Sequence, residues 1–385
     1  MDFEAPEEHA LLRESVRQFF ERELPEARIR EMDRERRIPR DLWKRLAELG
    51  WVGLSVPEAY GGSGGDVMAG VVLCEELARR FPSLAVDWVL LSMTARAFLE
   101  HGSEEQKAEY LPRLARGEFI MAFGMTEPSG GTDILGLTTR AEMAGNEWRI
   151  SGQKLFTSLA DDADAILVLC RTDPAPEDRR ARGLSLLLTP RQQPAVTVRR
   201  LELMAMRAAC TCEVFLDGAS APADALLGER GRGWYHLLSS LDEERTLAAA
   251  IYVGITQAAL DQTVRYAQER EAYGRPIGAF QAVQHPLAEV ATELEQIRLL
   301  TDKAAWLQSN GRECAGEAAM AKLAASEVAI RATDRCMRIL GGYGLVEESA
   351  MERLFRDARL GPFSPISNEM VKNFLGERLG LPRSY

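Results

Sequence analysis

A chain of 385 residues and 42.7 kDa is too long for one ordinary core, so two or three domains or layers are expected. Its 46% hydrophobic and 27% charged residues exclude long disorder or a collagen-like fibre and predict a large packed interior. Lys and Arg number 47 against 58 Asp and Glu, a net charge of −11. That balance speaks against a dominant nucleic-acid surface and favours solubility.

The opening stretch from Met1 to Glu8 is acidic and polar, unlike a signal peptide. The longest apolar run, around Leu247 to Ile255, falls far short of the roughly 20 residues of a spanning helix. A cytoplasmic protein with no membrane or nucleic-acid partner is expected, its six cysteines (Cys74, Cys170, Cys210, Cys212, Cys314 and Cys336) free thiols. The four histidines, His9, His101, His236 and His285, show no metal-ligand spacing. Cys210 and Cys212 stand two apart on an expected strand, and no metal site is predicted.

In chain order, residues 1–120 predict a helical domain. Leu11, Leu12, Val16, Phe19 and Phe20 recur at helical spacing, and Leu42 to Leu49, Val71 to Arg80 and Glu104 to Leu114 repeat the pattern. The Gly-rich Tyr60 to Gly65 is a loop between helices. Residues 121–230 carry short β-forming runs, including Trp148 to Ile150, Ala165 to Cys170, Leu184 to Thr189, Val196 to Leu201 and Glu213 to Leu216, at the spacing of an antiparallel domain. Residues 231–385 return to long amphipathic helices. This order of helices, sheet and helices defines an α+β multi-domain protein and disfavours a doubly wound nucleotide-binding fold, where strands and helices alternate.

Four motifs carry candidate chemistry. Met125-Thr126-Glu127-Pro128-Ser129-Gly130-Gly131-Thr132-Asp133 combines glycines that let backbone approach a ligand with hydroxyls beside exposed amides, suiting a phosphate or the edge of a polar heterocycle. Lys154-Leu155-Phe156-Thr157-Ser158, on an expected strand edge, places an aromatic ring and a hydroxyl on one face, one to stack on a flat ring and one to bond its edge. Arg270 to Ile277, followed by Phe280-Gln281, ends one helix, turns at Gly274 and Pro276, and starts another. The fourth is Gly341-Gly342-Tyr343-Gly344. Taken singly, each also reads as a surface turn, a core residue or helix punctuation.

Together, these motifs and the domain order resemble the acyl-CoA dehydrogenase family of flavoproteins over essentially the whole chain. The resemblance implies an N-terminal helical domain, a central β domain and a C-terminal four-helix bundle, with FAD bound between domains and a neighbouring subunit of a homotetramer or homodimer. It implies that Met125, Thr126, Gly131 and Thr132 line the flavin and its pyrophosphate, and that Phe156 and Ser158 sit at the isoalloxazine. Arg270, Tyr273, Gln281 and Gly342 match positions that hold the adenine half of a partner's FAD, Ser367 is a further cofactor contact, and Thr132 and Arg245 would also meet substrate. Ser158 stands where Thr is more usual, and Arg338 where Gln is frequent.

The implied reaction is α,β-dehydrogenation of an acyl thioester. A carboxylate removes the α-proton while the β-hydrogen leaves as hydride to the flavin. Many family members place that Glu in a Tyr-Glu-Gly-Thr segment, which aligns here with Ser364-Pro365-Ile366-Ser367, and Pro365 has no basic group. A second set, including isovaleryl-CoA dehydrogenase and the long-chain enzymes, places it before an Arg on the first long C-terminal helix. That position here is Glu244, in Leu241-Asp242-Glu243-Glu244-Arg245-Thr246. Independently, Leu237, Leu241, Glu244, Ala248 and Ile251 fall on one helical face, so Glu244 interrupts an apolar stripe whereas Glu243 points elsewhere. The competing role for Glu244 is an ion pair with Arg245 or Arg298.

The segment Ser364 to Met370 and the stretch Met206 to Glu213 are also similar to crotonobetainyl-CoA reductases, so enoyl-thioester reduction is an alternative. Others are a dehydrogenase of acyl-carrier-protein thioesters, a flavin monooxygenase or oxidase, and a non-catalytic flavoprotein scaffold. The expected electron acceptor is an electron-transfer flavoprotein. Arg179, Arg180 and Arg182, in the charged loop from Asp173 to Arg182, are candidates for meeting the CoA phosphates.

Overall fold

The computed structural model describes residues 6–175, 179–238 and 240–383. The N-terminal helices are α1 (Glu7–Glu23), α2 (Glu26–Glu35), α3 (Arg40–Glu48), α4 (Val67–Arg80), α5 (Pro82–His101) and α6 (Glu104–Ala115). Sequence signals for their starts are visible: Asp66 accepts from the Ala69 amide at α4, and Ser103 with Gln106 forms a capping box at α6. From Ala69 to Ala78, α4 is buried all round, including Glu75 and Glu76. Both carboxylates are paired, Glu76 with Arg13 and Arg17 at 2.8 Å and Glu75 with Arg298 at 2.8 Å. These pairs remove the desolvation penalty of lone buried charges and tie the first helices to the C-terminal ones.

The central strands are β1 (Met121–Gly124), β2 (Arg140–Ala144), β3 (Glu147–Thr157), β4 (Ala165–Arg171), β5 (Leu184–Pro190), β6 (Val196–Arg200), β7 (Cys212–Pro222) and β8 (Leu226–Leu227). They form one sheet in the order β6-β7-β3-β2-β4-β5-β8, with β1 beside β4. Pairing is mainly antiparallel, and β1 runs parallel to β4 with Met121 opposite Ala165. β4 and β5 are almost wholly buried, matching their near-continuous apolar runs, which only Ser185 and Thr189 interrupt.

The C-terminal part comprises α7 (Gly233–Leu238), α8 (Leu241–Glu269), the short hairpin β9 (Glu271–Ala272) and β10 (Arg275–Pro276), α9 (Gln281–Ser309), α10 (Ala315–Leu340), α11 (Ala350–Asp357) and α12 (Asn368–Arg378). α8, α9 and α10 pack on one another and α12 lies against α10, while α4 packs along α8. Small residues permit that close approach: a Cβ at Gly254 would stand 2.3 Å from the Glu75 carbonyl oxygen. Among the described residues no helix is long and apolar enough to cross a membrane, and no group of three or more His, Cys, Asp or Glu side chains is placed to hold a metal.

One local expectation needs correction: Leu237 belongs to α7, which ends at Leu238, rather than to the helix of Glu244, which starts at Leu241. The Arg270 to Ile277 segment does turn between two helices, as a tight hairpin, Arg275 opposite Ala272, with Tyr273 and Gly274 at φ 54° and 76°. Positive φ at Gly274 is what lets so short a turn close.

Candidate active site

The Met125 to Asp133 loop leaves the end of β1 and is pinned from beneath. Glu127, buried, accepts from the Thr138 amide and hydroxyl at 2.7 Å, from the Thr139 amide at 3.0 Å and from the Lys154 ammonium at 2.8 Å. Lys154 Nζ also donates to the Met125 carbonyl at 3.1 Å, and the Leu155 amide to the Thr126 carbonyl at 2.8 Å. Desolvation pushes the Glu127 carboxyl up, but the Lys154 charge and these hydrogen bonds outweigh it and hold the group down at about 2. Met125 and Thr126 are thereby fixed beside the Lys154 to Ser158 segment, half-buried, with Gly131 and Thr132 exposed on the loop.

Sequence reasoning gave Glu127 and Lys154 no role. A signal was present: Lys154 shares the inward register of β3 with Trp148 and Ile150, both buried, and an inward lysine demands a buried counter-charge.

Phe156 and Ser158 depart from the strand geometry expected of them. β3 lies inside the sheet between β7 and β2 rather than at an edge. β2 reaches only as far as Ser151, however, leaving one side of the Lys154 stretch to the loop. The register with β7 shifts between Lys154 and Thr157, and Phe156 sits at φ 57°. This irregularity turns the Phe156 ring outward, 57% exposed, while Thr157 points inward and Ser158 falls just past the strand. Ser158 Oγ lies 2.9 Å from Thr211 Oγ1.

Glu244 sits in the first turn of α8, half-buried, near Thr246, Leu247, Ala248 and Ile251, all buried. Its carboxylate makes no hydrogen bond or ion pair to another described residue. The expected competitors are engaged elsewhere: Arg245 donates to Asp242 at 3.0 Å and lies over the Phe374 ring, and Arg298 binds Glu75 and Glu295 at 2.8 Å. Desolvation, opposed only by the Arg245 charge, pushes the Glu244 carboxyl up to about 7. Glu243 points elsewhere, toward α5. It pairs with Arg96 at 2.7 Å, and desolvation raises it against the Arg96 charge.

The remaining predicted residues lie elsewhere. Arg270 and Gly342 line one groove of about 490 Å³ with Tyr266, Ile277, Leu340 and Tyr343. Tyr273 is 96% exposed on the hairpin, and Gln281 opens α9 on the surface. A Cβ at Gly341 or Gly342 would meet nothing within 4 Å, so the groove presents open backbone. Arg270 follows Glu244 by 26 positions, about 39 Å along a helix. The groove and Glu244 of one chain therefore cannot serve the same reacting centre directly. Ser367 caps α12, its Oγ accepting from the Met370 amide at 3.3 Å. Of the arginines proposed for CoA, Arg180 is paired with Asp133 at 2.8 Å, and part of their loop, residues 176–178, lies outside the described residues.

Comparison with known proteins agrees with this architecture. Models of the acyl-CoA dehydrogenase N-terminal, middle and C-terminal domains match residues 6–118, 122–219 and 231–380. The mitochondrial short-chain specific acyl-CoA dehydrogenase of Bos taurus is 39% identical over 360 residues, covering 93% of this chain and 86% of its own. The glutaryl-CoA dehydrogenase of Desulfococcus multivorans is 37% identical over 365 residues, 93% of this chain and 92% of its own. A solved acyl-CoA dehydrogenase from Geobacillus kaustophilus superposes with a TM-score of 0.94 at 34% identity, covering 99% of this chain and 100% of that one. The chain belongs to the acyl-CoA dehydrogenase family, oxidoreductases acting on CH–CH bonds whose members are FAD flavoproteins.

Proposed function

We propose that this chain catalyses α,β-dehydrogenation of an acyl-CoA thioester with Glu244 as the base that takes the α-proton. The observation that carries the proposal is the Glu244 carboxylate itself, unpaired among the described residues and pushed by desolvation up to about 7. A base of that strength is about half unprotonated at neutral pH and holds a proton well once it has it. Arg245, fixed by Asp242 and Phe374, and Thr132 are the proposed substrate contacts.

The residues present fit FAD. The outward Phe156 ring offers an apolar wall to a flat heterocycle. A Cβ on Gly131 would meet only the Thr126 methyl at 3.9 Å, which leaves room for a ligand against the backbone. Met125, Thr126, Gly131, Thr132, Phe156, Ser158 and Ser367 are assigned to the flavin side. Arg270, Tyr273, Gln281 and Gly342, too far from Glu244 to share its centre, are assigned to the adenine end of a second copy's cofactor in a homodimer or homotetramer. Bound FAD supplies the acceptor for the hydride released from the β-carbon. An electron-transferring flavoprotein as reoxidant and a cytoplasmic location complete the reading.

Purified protein with its flavin bands, mixed anaerobically with a panel of acyl-CoA and acyl-carrier-protein thioesters, tests it. Bleaching by acyl-CoA thioesters is expected. Bleaching only by carrier-protein thioesters moves the substrate class, and no bleaching by either overturns dehydrogenation.

A further inference from the structure

Behind the segment bearing Phe156 and Ser158, two thiols face each other. Cys210 closes a short 3-10 turn at φ 48° and ψ 56°, and Cys212 opens β7 opposite Arg200 and Thr157. The left-handed backbone at Cys210 brings side chains at i and i+2 together, and their sulfurs stand 4.0 Å apart. Cys212 Sγ also donates to the Cys210 carbonyl at 3.1 Å. Both residues are buried, Cys210 at 8% exposure and Cys212 at 0%, so only a small reagent reaches them. All six cysteines are free thiols; Cys74 and Cys170 are turned to backbone carbonyls instead.

We propose that Cys210 and Cys212 are an oxidisable dithiol that a hydroperoxide converts to a disulfide. When Cys210 ionises, the single Cys212 S–H turns from the Cys210 carbonyl to the thiolate sulfur 4.0 Å away; that hydrogen bond, with the Arg200 charge adding to it, holds the Cys210 thiol below its ordinary value against desolvation, which makes Cys210 the attacking sulfur. Its thiolate attacks one peroxide oxygen: an S–O bond forms, the O–O bond breaks, and the leaving alkoxide takes a proton and departs as alcohol or water. Cys212 then gives up its proton and attacks the Cys210 sulfur. The S–S bond forms, the S–O bond breaks, and hydroxide leaves with that proton as water. The two thiols lose two electrons and the peroxide gains them.

The sulfurs must close from 4.0 Å to roughly 2 Å, and the residue between them moves with them. Thr211 accepts from the Leu201 amide at 2.9 Å through its carbonyl and meets Ser158 Oγ at 2.9 Å. Oxidation is therefore transmitted to Ser158. This transmission alone rests on the proposed site, and the thiol chemistry stands apart from it.

The test treats the holoprotein with hydrogen peroxide, denatures it in iodoacetamide and digests it with trypsin, which isolates residues 208–230 between Arg207 and Arg230. Both cysteines of this peptide should escape alkylation together, the peptide should lose two hydrogens in mass, and dithiothreitol should restore it. The free thiols of the chain should fall from six to four. A peptide that still takes two alkyl groups, or that carries only oxygenated Cys210, overturns the proposal. In C212S the oxidation of Cys210 should stop at the sulfenic acid, captured by dimedone, with no peptide two hydrogens lighter; no dimedone adduct in C212S overturns Cys210 as the attacking sulfur. In turnover assays peroxide should slow the wild type roughly tenfold, reversibly, and leave C210S unchanged; equal losses in both overturn the link to Ser158.

Discussion

Two carboxylates, one in the β domain and one on the first long C-terminal helix, have opposite surroundings. Glu127, in the β domain, is enclosed but meets a lysine and two backbone amides, and it is held down at about 2. Glu244, on the helical side, is left unpaired among the described residues and rises to about 7. Burial acts on both in the same direction, so the difference comes from partners. A carboxylate whose lone pairs are all used is a structural pin, whereas one left unpaired beside apolar residues is ready to exchange a proton. In Glu244→Gln, turnover should fall by about a thousandfold or more while the flavin bands persist.

Removing one partner of the other carboxylate should act on folding instead. Lys154→Met leaves Glu127 as a lone buried charge and should cost about 3–5 kcal/mol, measured by urea unfolding, with loss of bound flavin. The double change Glu127→Gln with Lys154→Met should recover part of that stability, because no uncompensated charge remains.

Acidity should separate the two groups as well. The Glu244 pKa is raised from 4.5 to about 7, so it favours the unfolded state increasingly as pH rises from about 4.5 to about 7, and fully above that. Glu244→Gln should therefore melt higher than wild type at pH 8, and the gap should close toward pH 4. For Glu127, lowered from 4.5 to about 2, the stabilisation is present above about 4.5 and is lost as pH falls through about 2. Turnover should fall tenfold per pH unit below about 7, the acid limb of a base that must be unprotonated. The smallest effect belongs to exposed pairs: Arg45→Ala, which removes contacts to Glu23 and Glu48 at 2.7 and 2.8 Å, should leave the melting temperature unchanged within error.

Much of this contrast was open to sequence reasoning. Period-3.6 and short β-rich runs separated the helical, sheet and helical parts, and the acidic residue among Ala248 and Ile251 marked Glu244 as an interruption of an apolar face. The failures have local causes. The partner of Glu243, Arg96, stands on α5, a distant helix that periodicity along α8 cannot register. The outward turn of Phe156 depends on a shift against β7 that alternation does not encode. The Glu127 to Lys154 pair spans 27 positions, and only the inward register of a lysine announced it. The approach of Cys210 to Cys212 required a left-handed residue that no glycine signalled.

The most direct measurement of the central claim is exchange of the α-hydrogen of a bound, unreacted acyl-CoA thioester in deuterated water. It reads proton removal apart from hydride transfer. Wild-type protein should wash deuterium into the α-position, and Glu244→Gln, still binding flavin and thioester, should wash in none above background. Exchange in Glu244→Gln at the wild-type rate would contradict the assignment of Glu244 as the base.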